Sequence, residues 1–105
     1  MIHVVAIIKT KPGQRKAVLE AFLNNMPAVH AEKGCIEYGP VIDADSAGPI
    51  QTEIGSDTFM VIEKWETMED LSAHAKSAHM AEYAGKVKSM IAERAVHVLQ
   101  DVDES

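Results

Sequence analysis

The stretch Ile2–Lys9, IHVVAIIK, sets the hardest condition on the fold. It is β-branched, mostly apolar and followed by TKPGQ, so it reads as a strand ended by a turn. Alternate residues of a strand face opposite sides of its sheet. Ile2, Val4, Ala6 and Ile8 share one side; His3, Val5, Ile7 and Lys9 share the other. Both sets are largely apolar, so both faces of the sheet need cover. A chain of 105 residues has enough length for one domain, 1–105, with a single modest core.

The remaining elements supply one cover. From Pro12 to about Glu32 the apolar period becomes helical, with Val18, Phe22, Met26 and Val29 on one stripe and Leu19 and Leu23 widening it. Pro12 suits a first helical turn, and Pro27 predicts a kink or break near Leu23–Pro27. Gly34 is the natural left-handed stop. CIEYGPVID is a second strand, expected at an edge or bulged at Pro40, which lacks a donor. Residues 44–57 read as a mobile loop or extended hairpin tip. TFMVIEKWE is the third strand, with Phe59, Val61, Glu63 and Trp65 on one side. Thr67 opens a short helix as its N-cap, and Ser77 opens a longer one carrying Met80, Ala84, Val87 and Ile91. AVHVLQDV closes the chain as a strand, and residues 101–105 form an acidic tail expected to fray.

The order β-α-β-β-α-β predicts an α+β, ferredoxin-like fold: an antiparallel four-stranded sheet with its helices on one face. The other face then needs a second cover. The simplest is a second copy of the same sheet, which makes a homodimer.

Composition removes several function classes. A formal charge of −6 opposes binding to phosphate backbones, so no nucleic-acid partner is expected. No window approaches the length of a membrane span, and the first residues lack the charged and apolar regions of a secretion signal. One cysteine, Cys35, cannot make an intrachain disulfide. These features together predict a cytoplasmic protein.

The histidines His74 and His79 follow closely on Glu63 and Trp65. On one helix a spacing of five turns side chains apart by about 140°. With no HExxH and no cysteine cluster, a metal is not expected. Histidine titrates near neutral pH and can take a phenolic proton. The bland alternatives are surface residues at a helix start or hydrogen-bonded spacers. Glu63 shares a strand face with Trp65; once buried it needs a partner, either His74 or His79 or a Lys or Arg. Trp65 can be core, a stacking wall for a ring, or both. Tyr38 is a slot donor or a core edge. Cys35 reads as a small buried hydrophobe, and His97 as an interface or edge residue.

The stretches AEKGCIEY and FMVIEKWETMEDLSAHAKSAHM resemble the antibiotic biosynthesis monooxygenase family, which includes quinol monooxygenases and anthrone oxygenases. Glu32, Gly34, Cys35 and Tyr38, then Glu63 and Trp65, then His74, Ser77 and His79 carry the resemblance. His30 stands where many members have Arg, and the 44–57 connection is longer than usual. The resemblance implies a dimeric α/β-barrel with a slot between sheet and helices in each subunit. It also implies oxygenation of a small quinol or polycyclic phenol by O2 with no metal, flavin or haem cofactor. Haem is further disfavoured because residues 80–92 contain no histidine. On this reading His74, His79 and Glu63 are the catalytic candidates, and Trp65 and Tyr38 the substrate-binding ones. The rival expectation is a non-catalytic, dimeric ligand-binding or stress-associated domain on the same scaffold.

Overall fold

A computed structural model describes residues 1–103. Strand β1 (Ile2–Thr10) leads into helix α1 (Arg15–His30), then β2 (Cys35–Val41) and β3 (Thr58–Trp65). Helices α2 (Met68–Ala75) and α3 (Ala78–Val87) follow, and a short 3-10 turn (Lys88–Met90) leads into β4 (Ile91–Gln100). The antiparallel sheet has the order β2-β3-β1-β4. This is the ferredoxin-like topology expected from the element order, with β2 and its Pro40 at an edge.

The faces also follow the alternation. Val4, Ala6 and Ile8 of β1 and Phe59, Val61, Glu63 and Trp65 of β3 are buried beneath the helices. Val18, Phe22 and Val29 of α1 pack onto them. The molecule measures 36 × 34 × 20 Å; the short dimension is that of one sheet carrying one helix layer. The opposite sheet face, with Val5, Ile7, Met60 and Ile62, has no helix on it.

Four local expectations need correction. Helix α1 runs unbroken through Pro27. Pro27 and Leu23 are both exposed, so water can take the Leu23 carbonyl that Pro27 leaves unbonded. Helix α1 also begins three residues after Pro12, which lies in the preceding turn. Ile91 is the first residue of β4, not the end of α3, because α3 stops at Val87 and tightens into the 3-10 turn. Ser77 does occupy the N-cap of α3, but its hydroxyl donates back to the His74 carbonyl (2.8 Å) and caps no amide.

Two turns behave as read. Thr67 accepts from the Asp70 amide at 3.1 Å. Gly34 has φ +80°, a conformation that glycine adopts without steric penalty. The 44–57 connection forms no strand, and its base is closed by the Asp43 carboxylate, which accepts from the Ile54 and Gly55 amides at 2.9 Å each. Those two bonds hold the Asp43 carboxyl below its ordinary value. Of the acidic tail, Asp101 lies 3.0 Å from His3 Nε2; Glu104 and Ser105 are outside the described residues.

Candidate active site

Helix α2 is short, and only one of its faces turns inward. Asp70 and His74, one turn apart, are both buried. Asp70 sits against Gly34, where a β-carbon would strike its carboxylate. His74, one turn on, meets Glu32 on the same loop: its Nδ1 lies 2.8 Å from Glu32 Oε2. A carboxylate only accepts, so Nδ1 donates. The proton is thereby fixed on Nδ1 in the neutral ring, and Nε2 keeps a free lone pair.

The imidazole is held on its faces as well. Trp65 lies against it with ring centroids 4.7 Å apart, and Tyr38 meets it edge-on at 5.4 Å. Tyr38 in turn stacks on Phe22 at 5.2 Å. The chain end of α1 is tied to the same strand by His30 Nε2, 2.8 Å from the Tyr38 carbonyl.

A cavity of about 630 Å³ opens in front of this group, between sheet and helices. Val4, Ala6, Val61, Val96 and Val98 line its sheet side; Phe22, Leu71, Met80, Ala84 and Val87 line its helix side. His74, Glu63, Tyr38 and Tyr83 are among its polar lining residues. This is the form of a small-molecule site: apolar walls with a few fixed polar groups.

The structure separates the candidates named from the sequence. His74 and Tyr38 line the cavity. Trp65 does not: it is fully buried behind His74, because α2 lays the imidazole over it. His79 also lies off the cavity, with Nε2 3.3 Å from the same Glu32 oxygen and Nδ1 buried without a partner among the described residues. Glu63 lines the cavity but takes neither histidine; its Oε1 accepts from Trp65 Nε1 at 2.9 Å. The reason is local, since residues i and i+2 share a strand face and the indole N–H reaches the carboxylate first. The partner of the His74 imidazole is Glu32, which proximity in the sequence does not indicate. The available signal was an acid two residues before the left-handed Gly34, where the turn points it back toward the helices. Among the described residues, no group of three or more His, Cys, Asp or Glu is arranged to hold a metal.

Titration differs sharply across the cavity. Burial, aided by Glu63, holds the Tyr38 phenol far above its ordinary value. Burial pushes Tyr83 up to about 12 against the pull of Arg94. Both phenols therefore remain donors at neutral pH. Burial also raises Glu63, although the Trp65 bond and His74 oppose it. Cys35 is raised by burial, with Glu32 and Glu63 adding to it, so its thiol stays protonated. His74 is the one imidazole among these lining groups.

The raised Glu63 carboxyl has a consequence for stability. A carboxyl whose folded value lies above its unfolded one stabilises the fold below the unfolded value, and that contribution is lost as pH rises through the folded value. Glu63→Gln keeps an acceptor for the indole and removes the charge. Thermal melts from about pH 4 to about pH 8, spanning the ordinary carboxyl range, should show the variant gaining on the wild type as pH rises. An unchanged difference across the range would mean that Glu63 ionises without penalty.

The family model for antibiotic biosynthesis monooxygenases matches residues 1–86. The chain belongs to that family. The probable quinol monooxygenase YgiN of Escherichia coli K12 is 38% identical over 102 residues, 95% of this chain and 97% of the relative. Among solved structures, PA3566 of Pseudomonas aeruginosa superposes with a TM-score of 0.80 at 20% identity, covering 97% of this chain and 94% of the other. Rv0793 of Mycobacterium tuberculosis superposes at 0.78 with 24% identity, covering 99% and 97%. At those identities the two structures establish the fold alone. No described helix is long and apolar enough to cross a membrane.

Proposed function

We propose that the chain is a cofactor-independent monooxygenase that oxidises a small quinol or polycyclic phenol with O2. The observation that carries this reading is the Glu32–His74 pair: a buried imidazole with Nδ1 anchored, on the wall of an apolar slot sized for an aromatic ring. The similarity to a probable quinol monooxygenase supports it.

The chemistry asks little of the protein. Ground-state O2 reacts slowly with closed-shell organic molecules, whereas a phenolate is electron-rich enough to pass it one electron. His74 Nε2 takes the phenolic proton, and Glu32 stabilises the imidazolium that forms. The resulting radical pair joins at a ring carbon, and loss of water leaves one oxygen atom on the product. For a quinol the balance is quinol + O2 → hydroxyquinone + H2O, with the substrate supplying all the electrons. The apolar walls hold the ring in place beside His74.

Oxygen uptake over a panel of benzo-, naphtho- and anthracene-type hydroxyaromatics tests this directly. Turnover of at least one member, with one H2O formed per O2 and 18O from O2 in the product, is expected. Uptake that yields only H2O2 and unoxygenated quinone would overturn it.

We further propose that the helix-free sheet face is covered by a second copy, giving the two-fold dimer expected from the alternation in β1. Val5 and Ile7 occupy the middle of that face; Lys9 and Lys64 lie toward its margin. Such a self-complementary patch suits an isologous contact. Sedimentation equilibrium at micromolar protein should give twice the chain mass, and Ile7→Glu should shift it toward monomer. A wild-type monomer at that concentration would refute the dimer.

A further inference from the structure

The cavity has two chemically different ends. Glu63, His74 and Tyr38 stand at one; Arg94 and Lys88 stand at the other. Strand pairing measures their separation. Glu63 lies opposite Val4, which lies opposite Val98; Phe59 lies opposite Ile8, which lies opposite Arg94. Arg94 is therefore four residues along the sheet from the level of Glu63, about 13 Å at ~3.3 Å per residue. Lys88 reaches the same end from the turn that precedes β4.

Neither cation has a hydrogen-bond or ion-pair partner among the described residues. Both stand on one cavity whose lining holds a single carboxylate, Glu63. The charge of Arg94 is felt inside: it draws both Glu63 and Tyr83 downward against their burial. Glu63, the one carboxylate of the lining, starts from the other end of the sheet and forms no ion pair with the guanidinium.

We propose that Arg94, with Lys88 beside it, forms an anion-binding end of the cavity. The matching ligands are fused-ring hydroxyaromatics bearing a carboxylate on the edge remote from the hydroxyl at His74. A guanidinium fits a carboxylate with two parallel hydrogen bonds, and the apolar walls between the two ends fit the rings. The identity of the reacting hydroxyl rests on the oxidation proposed above; the anion-binding end does not.

The test is binding, measured by calorimetry without turnover. The probes are 6-hydroxy-2-naphthoate and its methyl ester, which differ in charge at the remote edge. Wild type should bind the acid about tenfold or more tighter than the ester, the size of one charge-assisted hydrogen bond. The preference should shrink with added NaCl. In Arg94→Gln the ratio should fall close to one, and Arg94→Lys should restore part of it. Arg94 is exposed, so neither variant disturbs the core. Equal binding of acid and ester, or a ratio unchanged in Arg94→Gln, would overturn the proposal. If the charge preference is present and no quinol turns over, the anion end stands and the oxidation reading fails. If neutral quinols turn over with no charge preference, the reverse holds.

Discussion

His74→Ala is expected to lower quinol-dependent oxygen uptake by about 10²- to 10⁴-fold, the usual size of general-base catalysis. Nδ1 of His74 is committed to Glu32, and no other imidazole lines the cavity to stand in for Nε2. The substitution also removes a ring packed between Trp65 and Tyr38, so some stability is lost along with the base. Two further measurements separate the effects. Added imidazole should restore part of the rate in His74→Ala by occupying the space left. Glu32→Gln, which keeps the volume, should still lower the rate, because an amide does not stabilise the imidazolium as a carboxylate does. If His74→Ala retains the wild-type rate at every pH, the imidazole is only a packing element and the mechanism is wrong.

Gly34→Ala is expected to destabilise the fold by about 2–4 kcal/mol, combining left-handed strain with overpacking. The glycine has φ +80°, and the new methyl would meet the Asp70 carboxylate. Asp70 belongs to the first turn of α2 and is buried, so it has little room to retreat without moving the helix. Glu32 lies two residues away on the same turn, and His74 lies one helical turn beyond Asp70. The damage should therefore appear twice: as a lower denaturation midpoint, and as reduced activity in the fraction that remains folded. Asp70→Ala in the Gly34→Ala background should recover part of the stability by removing the clash. A Gly34→Ala variant as stable as wild type would show that α2 does not depend on this contact.

Much of the architecture was legible because it is local. Period-two alternation in β1 and β3 groups Val4 with Ala6, and Val61 with Glu63, on shared faces, and Pro40 points to an edge strand or a bulge, of which the edge is found. Gly34 marks the left-handed turn. What failed depended on solvent or on long-range placement. Pro27 was expected to break α1, yet its exposed side of the helix tolerates a missing bond. The pairing of the site residues was harder. Glu63 and the histidines are near in sequence, and that nearness suggested a pair. In the fold, indole Nε1 reaches Glu63 from two residues away, while His74 finds Glu32 across 42 positions. No periodicity encodes that meeting, because it exists only when α2 and the end of α1 are set side by side on a finished sheet. Trp65 shows the same limit: its strand face was right, but the helix that covers it turned a wall residue into a support.

Trp65, unused by the chemistry, is the chain's single indole. Its N–H is bound to one titrating group and its face lies on another. Protonating the imidazole would set a cation on that face, and ionising Glu63 would change the charge at its nitrogen. The fluorophore is thus wired to both ends of the proton inventory of the site. Light emission from an unlabelled sample is therefore expected to change when either group gains or loses its proton, in a molecule that needs no dye or engineered reporter to be watched.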